Sequence, residues 1–228
     1  MQLPPELTFT TSTIADGNMS MRFGKKTAVV TARDRFVGHL NYVCMQCDHG
    51  DTIQFVSEPQ ANQTPAEVLI AQTPGLTLML LTADCLPTAL YDPTTKTIAL
   101  AHHSRQTIAA GLPTETVRFL QRERGVDPAR LQVYVGPHIH PASYCFNNTE
   151  ERFADRIEPF TTRTDTSVCV DLPAAHTAQL GAAGVPATQI QYSAVDTFSS
   201  ADHFSHFEST RDDRKPHGRL ATILTLHQ

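Results

Sequence analysis

The densest apolar run in the chain is LTLMLL at residues 76–81, followed at once by the polar TADC. Six residues is strand length, and an apolar run without alternation predicts a strand buried on both faces. Residues 86–91 predict a second strand, closed by the turn signal Asp92-Pro93. Residues 97–101 predict a third, which runs into His102-His103. The β-branched stretch TAVVT at 27–31 predicts a further strand. Phe36, Leu40 and Val43 recur at helical spacing and predict a helix over 33–43. Residues 51–56 read as an edge strand, closed by Ser57 and Pro59 before a polar loop at 58–67. Over 107–124, Ile108, Leu112, Val117 and Leu120 follow a helical period. Pro113 breaks or starts part of that helix, and Gly125 is placed to cap it. Residues 131–135 and 219–226 predict strands, the first running into Gly136-Pro137. Residues 150–157 and 173–180 predict helices, the second with Asp171 as N-cap and Gly184 just past its end.

Strand–strand pairs mixed with strand–helix units predict a mixed sheet with helices packed outside. A chain of 228 residues can bury one good core, so one domain over 1–228 is expected. The formal charge of −5 argues against a nucleic-acid polyanion as partner. No apolar run approaches the roughly 20 residues that span a bilayer. Residues 1–9 lack the basic segment and apolar stretch of a signal peptide. The expectation is a cytoplasmic, monomeric protein without membrane association. Five cysteines, an odd number, predict no disulfide framework in such a compartment.

Three residues stand where a catalytic metal would need them. Cys85 follows the carboxyl end of the 76–81 strand, His102 ends the next strand but one, and His49 precedes the 51–56 strand after the predicted helix. Neighbouring strands lie about 4.8 Å apart, so such ends can converge. One thiolate and two imidazoles suit zinc and leave a fourth place for water or substrate. Zinc there lowers the pKa of a bound water to about 7 or polarises a substrate atom. Asp84 is placed to orient a ligand histidine, to accept a proton, or to cap its turn. Cys44-Met45-Gln46-Cys47 is a C-x-x-C; on a helix its thiols would share a face, either packed or supplementing the metal. His138 and His140 flank Ile139 in a loop, as substrate contacts or as exposed residues.

Four blocks are similar to those of the YfiH-like family, long labelled multicopper polyphenol oxidoreductase or laccase-domain proteins. TADCLPTALYD at 82–92 resembles its T-A-D-C-x-P block, and DHG at 48–50 its Q-x-H-G block. GPHIHPASY at 136–144 resembles its G-P-x-I-x-x-x-x-Y block. FEST-R at 207–211, with Gly218-Arg219, resembles its closing F-x-S-x-R…G-R. DGNMS at 16–20 is a weaker echo of its G-G-V-S. The resemblance implies a layered α-β-β-α sandwich with mixed sheets, an α+β (mixed α/β) fold. It implies zinc on His49, Cys85 and His102, with Asp84 and Cys85 at the catalytic centre. It places Ser20 and Arg211 on the pocket. The implied activity is phosphorolysis of purine nucleosides, methylthioadenosine included, with deamination of adenosine.

The chain departs from the family at H-A-G-W-R-G, which here reads His102-His103-Ser104-Arg105-Gln106-Thr107. Gln106 replaces an arginine and cannot supply charge to phosphate, which leaves Arg105 and Arg211 as the anion partners. Cys47 stands where the family usually has Gln, and Cys145 where it often has Glu. The rival readings are a divergent member that edits peptidoglycan precursors, or binds a nucleoside without phosphorolysis, and a copper-dependent polyphenol oxidase. A multicopper centre needs more ligands than these.

Overall fold

The structure, a computed structural model, describes residues 2–227. The chain begins with β1 (Leu7–Thr11), α1 (Lys26–Val37), β2 (Tyr42–Gln46), β3 (Ile53–Phe55), β4 (Thr64–Pro65) and β5 (Val68–Ala71). It continues through β6 (Thr77–Thr82), β7 (Leu86–Asp92), β8 (Thr97–His103), α2 (Arg105–Ala110), α3 (Leu112–Arg124) and β9 (Gln132–Val135). Next come β10 (Cys145–Phe146), β11 (Thr161–Arg163), β12 (Val168–Val170) and α4 (Leu172–Ala182). The last elements are β13 (Ile190–Tyr192), α5 (His206–Ser209) and β14 (Leu220–Leu226). No helix among the described residues is long and apolar enough to cross a membrane.

Two mixed sheets carry the fold. One has the order β1-β14-β6-β2-β4, the other β13-β9-β7-β8-β5-β3. In the first, β14 runs antiparallel to both neighbours, and β2 runs parallel to β6 and β4. In the second, β7 and β8 form the central antiparallel pair, from Leu86 opposite His103 to Asp92 opposite Thr97. Side-chain alternation turns these strands into layers. Leu78 and Leu80 of β6 meet Ala89 and Tyr91 of β7 and Ile98 and Leu100 of β8 between the sheets. The opposite face of β7 and β8 gives Leu86, Leu90, Ala99 and Ala101 to Ile108, Val117 and Leu120 of the helices. The opposite face of the first sheet gives Cys44, Met79, Ala221 and Ile223 to Ala32, Phe36 and Val37 of α1. The architecture is the α-β-β-α sandwich that the resemblance implies.

Several local expectations are overturned. TAVVT is helical, inside α1, because Val29, Ala32, Arg33, Phe36 and Val37 follow one helical face onto the first sheet. Its β-branched residues prefer strands only weakly, and packing overrides that preference. The helix expected over 33–43 stops at Val37, where Gly38 takes the left-handed conformation (φ 80°), and Tyr42–Gln46 is a strand. No helix forms over 150–157. The Phe153 amide donates to the Glu158 carboxylate instead. Cys145 and Cys169 form a disulfide, against the expectation from cysteine parity. They are direct register partners on β10 and β12, which the odd total could not reveal.

Candidate metal centre

Three connections cross from the first sheet to the second at one end of the sandwich: β2 to β3, β4 to β5, and β6 to β7. They carry Cys47 and His49, then Glu67, then Asp84 and Cys85. The carboxyl end of β8 brings His102 to the same place. Alternation along β8 separates the two histidines of the HisHis pair. His102 shares the side of Ile98 and Leu100, whereas His103 shares that of Ala99 and Ala101. His103 therefore points into the helix layer and meets Thr88 Oγ1 at 3.0 Å and His176 Nε2 at 2.8 Å. His49 (φ 65°) and Asp84 (φ 83°) hold left-handed backbone without being glycine. Such conformations cost of order 1–3 kcal/mol and must be held by their surroundings.

Glu67 is the organising side chain. It is fully buried. One carboxylate oxygen lies 2.7 Å from His102 Nδ1. The other accepts the backbone N–H groups of Asp48 and His49, both at 2.7 Å. That second oxygen pins the turn that presents His49. His49 Nδ1 in turn lies 3.0 Å from Ser104 Oγ. Both rings are thus engaged through Nδ1, and Nε2 is the nitrogen each can offer a metal. Their ring centroids are 5.2 Å apart.

Among the described residues, the set whose donor atoms all lie within 4.8 Å of one another is Cys47, Glu67 and His102. His49 and Cys85 line the same cavity around it. Burial opposes a charge on His102, yet the sulfurs of Cys47 and Cys85 raise its proton affinity well above the ordinary imidazole range. Burial pushes the Cys47 thiol up, only partly offset by His102. Burial, with His102 beside it, pushes His49 down. Soft sulfur and imidazole donors of this kind fit a zinc-type ion.

The cavity around the cluster holds about 750 Å³, within the range of small-molecule sites. Ser20, Arg22, Arg105, Gln106 and Arg219 line it. Arg219 is half-buried, which lowers its pKa, and its Nη1 donates to the Gly218 carbonyl at 2.8 Å. Gly218 is required there, because a Cβ would lie 2.6 Å from the Phe204 ring. Arg105 lies over the rings of Phe146 and Phe153.

The family described as multi-copper polyphenol oxidoreductase laccase matches residues 8–227. The chain belongs to this laccase-type family. A purine nucleoside phosphorylase of Streptomyces coelicolor is 33% identical over 203 residues, covering 86% of this chain and 80% of the relative. Another, YlmD of Geobacillus stearothermophilus, is 28% identical over 91% of this chain and 82% of its own length. The crystal structure of YlmD from Geobacillus stearothermophilus superposes with a TM-score of 0.85 at 25% identity, over 98% of this chain and 93% of that one. YfiH of Bacillus licheniformis shares the fold, with a TM-score of 0.82 at 21% identity over 96% and 92%.

Within this laccase-type chain, the residues expected from sequence are only partly gathered. His49, Cys85, His102, Ser20, Arg105 and Asp84 line the cavity. Asp84 accepts hydrogen bonds on both oxygens, from Thr197 Oγ1 at 2.7 Å and the Phe207 amide at 2.6 Å. Arg211 is outside the lining; it donates to the Phe207 carbonyl at 3.1 Å, and its guanidinium stacks on the Phe207 ring. His138 is buried rather than exposed, and its Nδ1 meets the Gly136 carbonyl at 2.8 Å. The helical C-x-x-C does not occur. On strand β2, Cys44 faces α1, while Cys47, just past the strand's end, follows Val43 and Met45 toward the other sheet. Sequence reasoning missed Glu67, Arg22 and Arg219. Glu67 carried one signal, a lone acid at the mouth of the apolar run VLIA.

Proposed function

We propose that this chain is a zinc-dependent purine nucleoside phosphorylase, acting also on methylthioadenosine and deaminating adenosine. The observation that carries the reading is the Glu67–His102 pair. It faces Cys47, Cys85 and His49 at the floor of an arginine-rimmed cavity of nucleoside size. The relatives named purine nucleoside phosphorylase support the same reading. His49, Cys85 and His102 would hold zinc, which supplies Lewis-acid polarisation and a nucleophilic water at neutral pH.

The chain's own groups account for the remaining work. Glu67 fixes the tautomer and orientation of His102. Arg105 and Arg219 bind phosphate, and the burial of Arg219 strengthens its attraction for an anion. Ser20 borders the same space and binds a substrate hydroxyl. Tyr144 and Phe207 offer flat faces for a purine. Arg211 buttresses Phe207, and Asp84 positions Cys85 by tying its turn to residues 197 and 207. In phosphorolysis the bond between ribose and base breaks, phosphate oxygen bonds to the ribose carbon, and the base leaves with a proton.

The test is zinc-replete protein with adenosine, inosine and methylthioadenosine, each with and without phosphate. Free base should appear only with phosphate, and inosine should form from adenosine without it. Arg219→Ala should raise the KM for phosphate at least tenfold, the loss of roughly 1.4 kcal/mol or more of binding. If neither base nor inosine forms, the reading fails.

A further inference from the structure

The cluster at the cavity floor contains one soft donor more than an open catalytic centre uses. We propose that Cys47 is a fourth protein ligand, so that the resting metal centre of this chain is a closed set of two sulfurs and two imidazoles: Cys47, Cys85, His49 and His102. The inference rests on the zinc reading above and adds a residue to it.

Three observations converge on Cys47. Its place directly after β2 aims it inward. Val43 and Met45 face the space between the sheets, and the same alternation sends Cys47 there and Cys44 to the α1 side. Its sulfur then lies within 4.8 Å of a His102 nitrogen. The third member of that close set, Glu67, has both oxygens engaged, by His102 Nδ1 and by the amides of Asp48 and His49. Glu67 is therefore committed behind the ligands, and Cys47 and His102 remain as the donors of the set. Cys85 and His49 line the same cavity outside that 4.8 Å set, and their donors would close in on the metal to complete four.

The chemistry of the number matters. Catalytic zinc sites hold three protein ligands and keep one place for water or substrate, whereas four protein ligands make a structural, closed site. In this chain the fourth place is contested. A substrate that binds the metal would have to displace the Cys47 sulfur.

X-ray absorption at the zinc edge of the zinc-loaded full chain counts sulfur neighbours directly. The wild type should show two sulfurs. Cys47→Gln, Cys47→Ser and Cys85→Ser should each show one, and Cys44→Ser should keep two. Cobalt-substituted protein should match, with sulfur-to-metal charge-transfer absorption falling by half in either Cys47 variant. One sulfur in the wild type overturns the proposal and leaves the zinc reading intact. Two sulfurs persisting in Cys47→Ser also overturns it. A wild type that binds no zinc sinks both. The wild-type count decides even if a variant fails to fold.

Discussion

Glu67 does two jobs with two oxygens, and a conservative change separates them. Gln at this position keeps one acceptor and gains an N–H₂ donor. Two backbone amides need the acceptor, so the donor faces His102 Nδ1 and forces the proton onto Nε2. A protonated Nε2 cannot ligate metal. Glu67→Gln should therefore weaken zinc binding by roughly 10–100-fold, the usual cost of losing such a partner. Chelator competition measures it; unchanged affinity would show that Glu67 does not set the tautomer. At this scale the sequence was half legible. Cys85 and His102 stood out because strands end beside them. Glu67 was hidden at the end of a polar loop, and Cys47 inside a dipeptide spacing that suggested a partner in Cys44. Which donors meet depends on three loops crossing between sheets, and spacing along one strand carries no information about that.

The elements most readable were those whose pattern and packing agree. β6, β7 and β8 announce themselves as short apolar blocks because both faces are covered, one by the other sheet and one by helices. The caps of α4 fell where expected, with the Asp171 side chain accepting from the Ala174 amide at 2.8 Å. α1 was misread because five adjacent residues with β-branched members outvoted a helical stripe that only shows over twelve. Pro113 was read as breaking or starting part of the helix; it lies in the first turn of α3, and the joint itself is Gly111. It caps the end of α2 and the start of α3 with φ 93°. Left-handed backbone costs a residue with a Cβ about 1–2 kcal/mol. Gly111→Ala should lower stability by about that much in urea unfolding, with the zinc stoichiometry untouched. A neutral result would mean that the joint relaxes.

The molecule as a whole keeps several histidines uncharged. Burial is the main cause for both His138, held down at about 4, and His176, held down at about 3. Their ordinary value is 6.5, so between pH 6.5 and about 4 the unfolded chain binds protons that the folded chain refuses. Stability must then fall as pH drops through that window. A tenfold difference in proton affinity between folded and unfolded chain is worth about 1.4 kcal/mol, so the loss reaches several kcal/mol by about pH 4. The urea midpoint should drop markedly from about pH 7 to about pH 5, and less so in His138→Asn. A flat profile would contradict the buried, neutral state. The layered architecture was legible in block order and family resemblance. The Cys145–Cys169 link was not, since pairing belongs to the register of β10 and β12. One topological fact reaches beyond the folded state. The strand at residues 220–226 fills an interior place, between β1 and β6, which are distant from it in sequence. Until a ribosome has delivered that segment, two bare edges wait with their amides unpaired. A stalled or prematurely released nascent chain is thus a sticky one, the kind chaperones must shield.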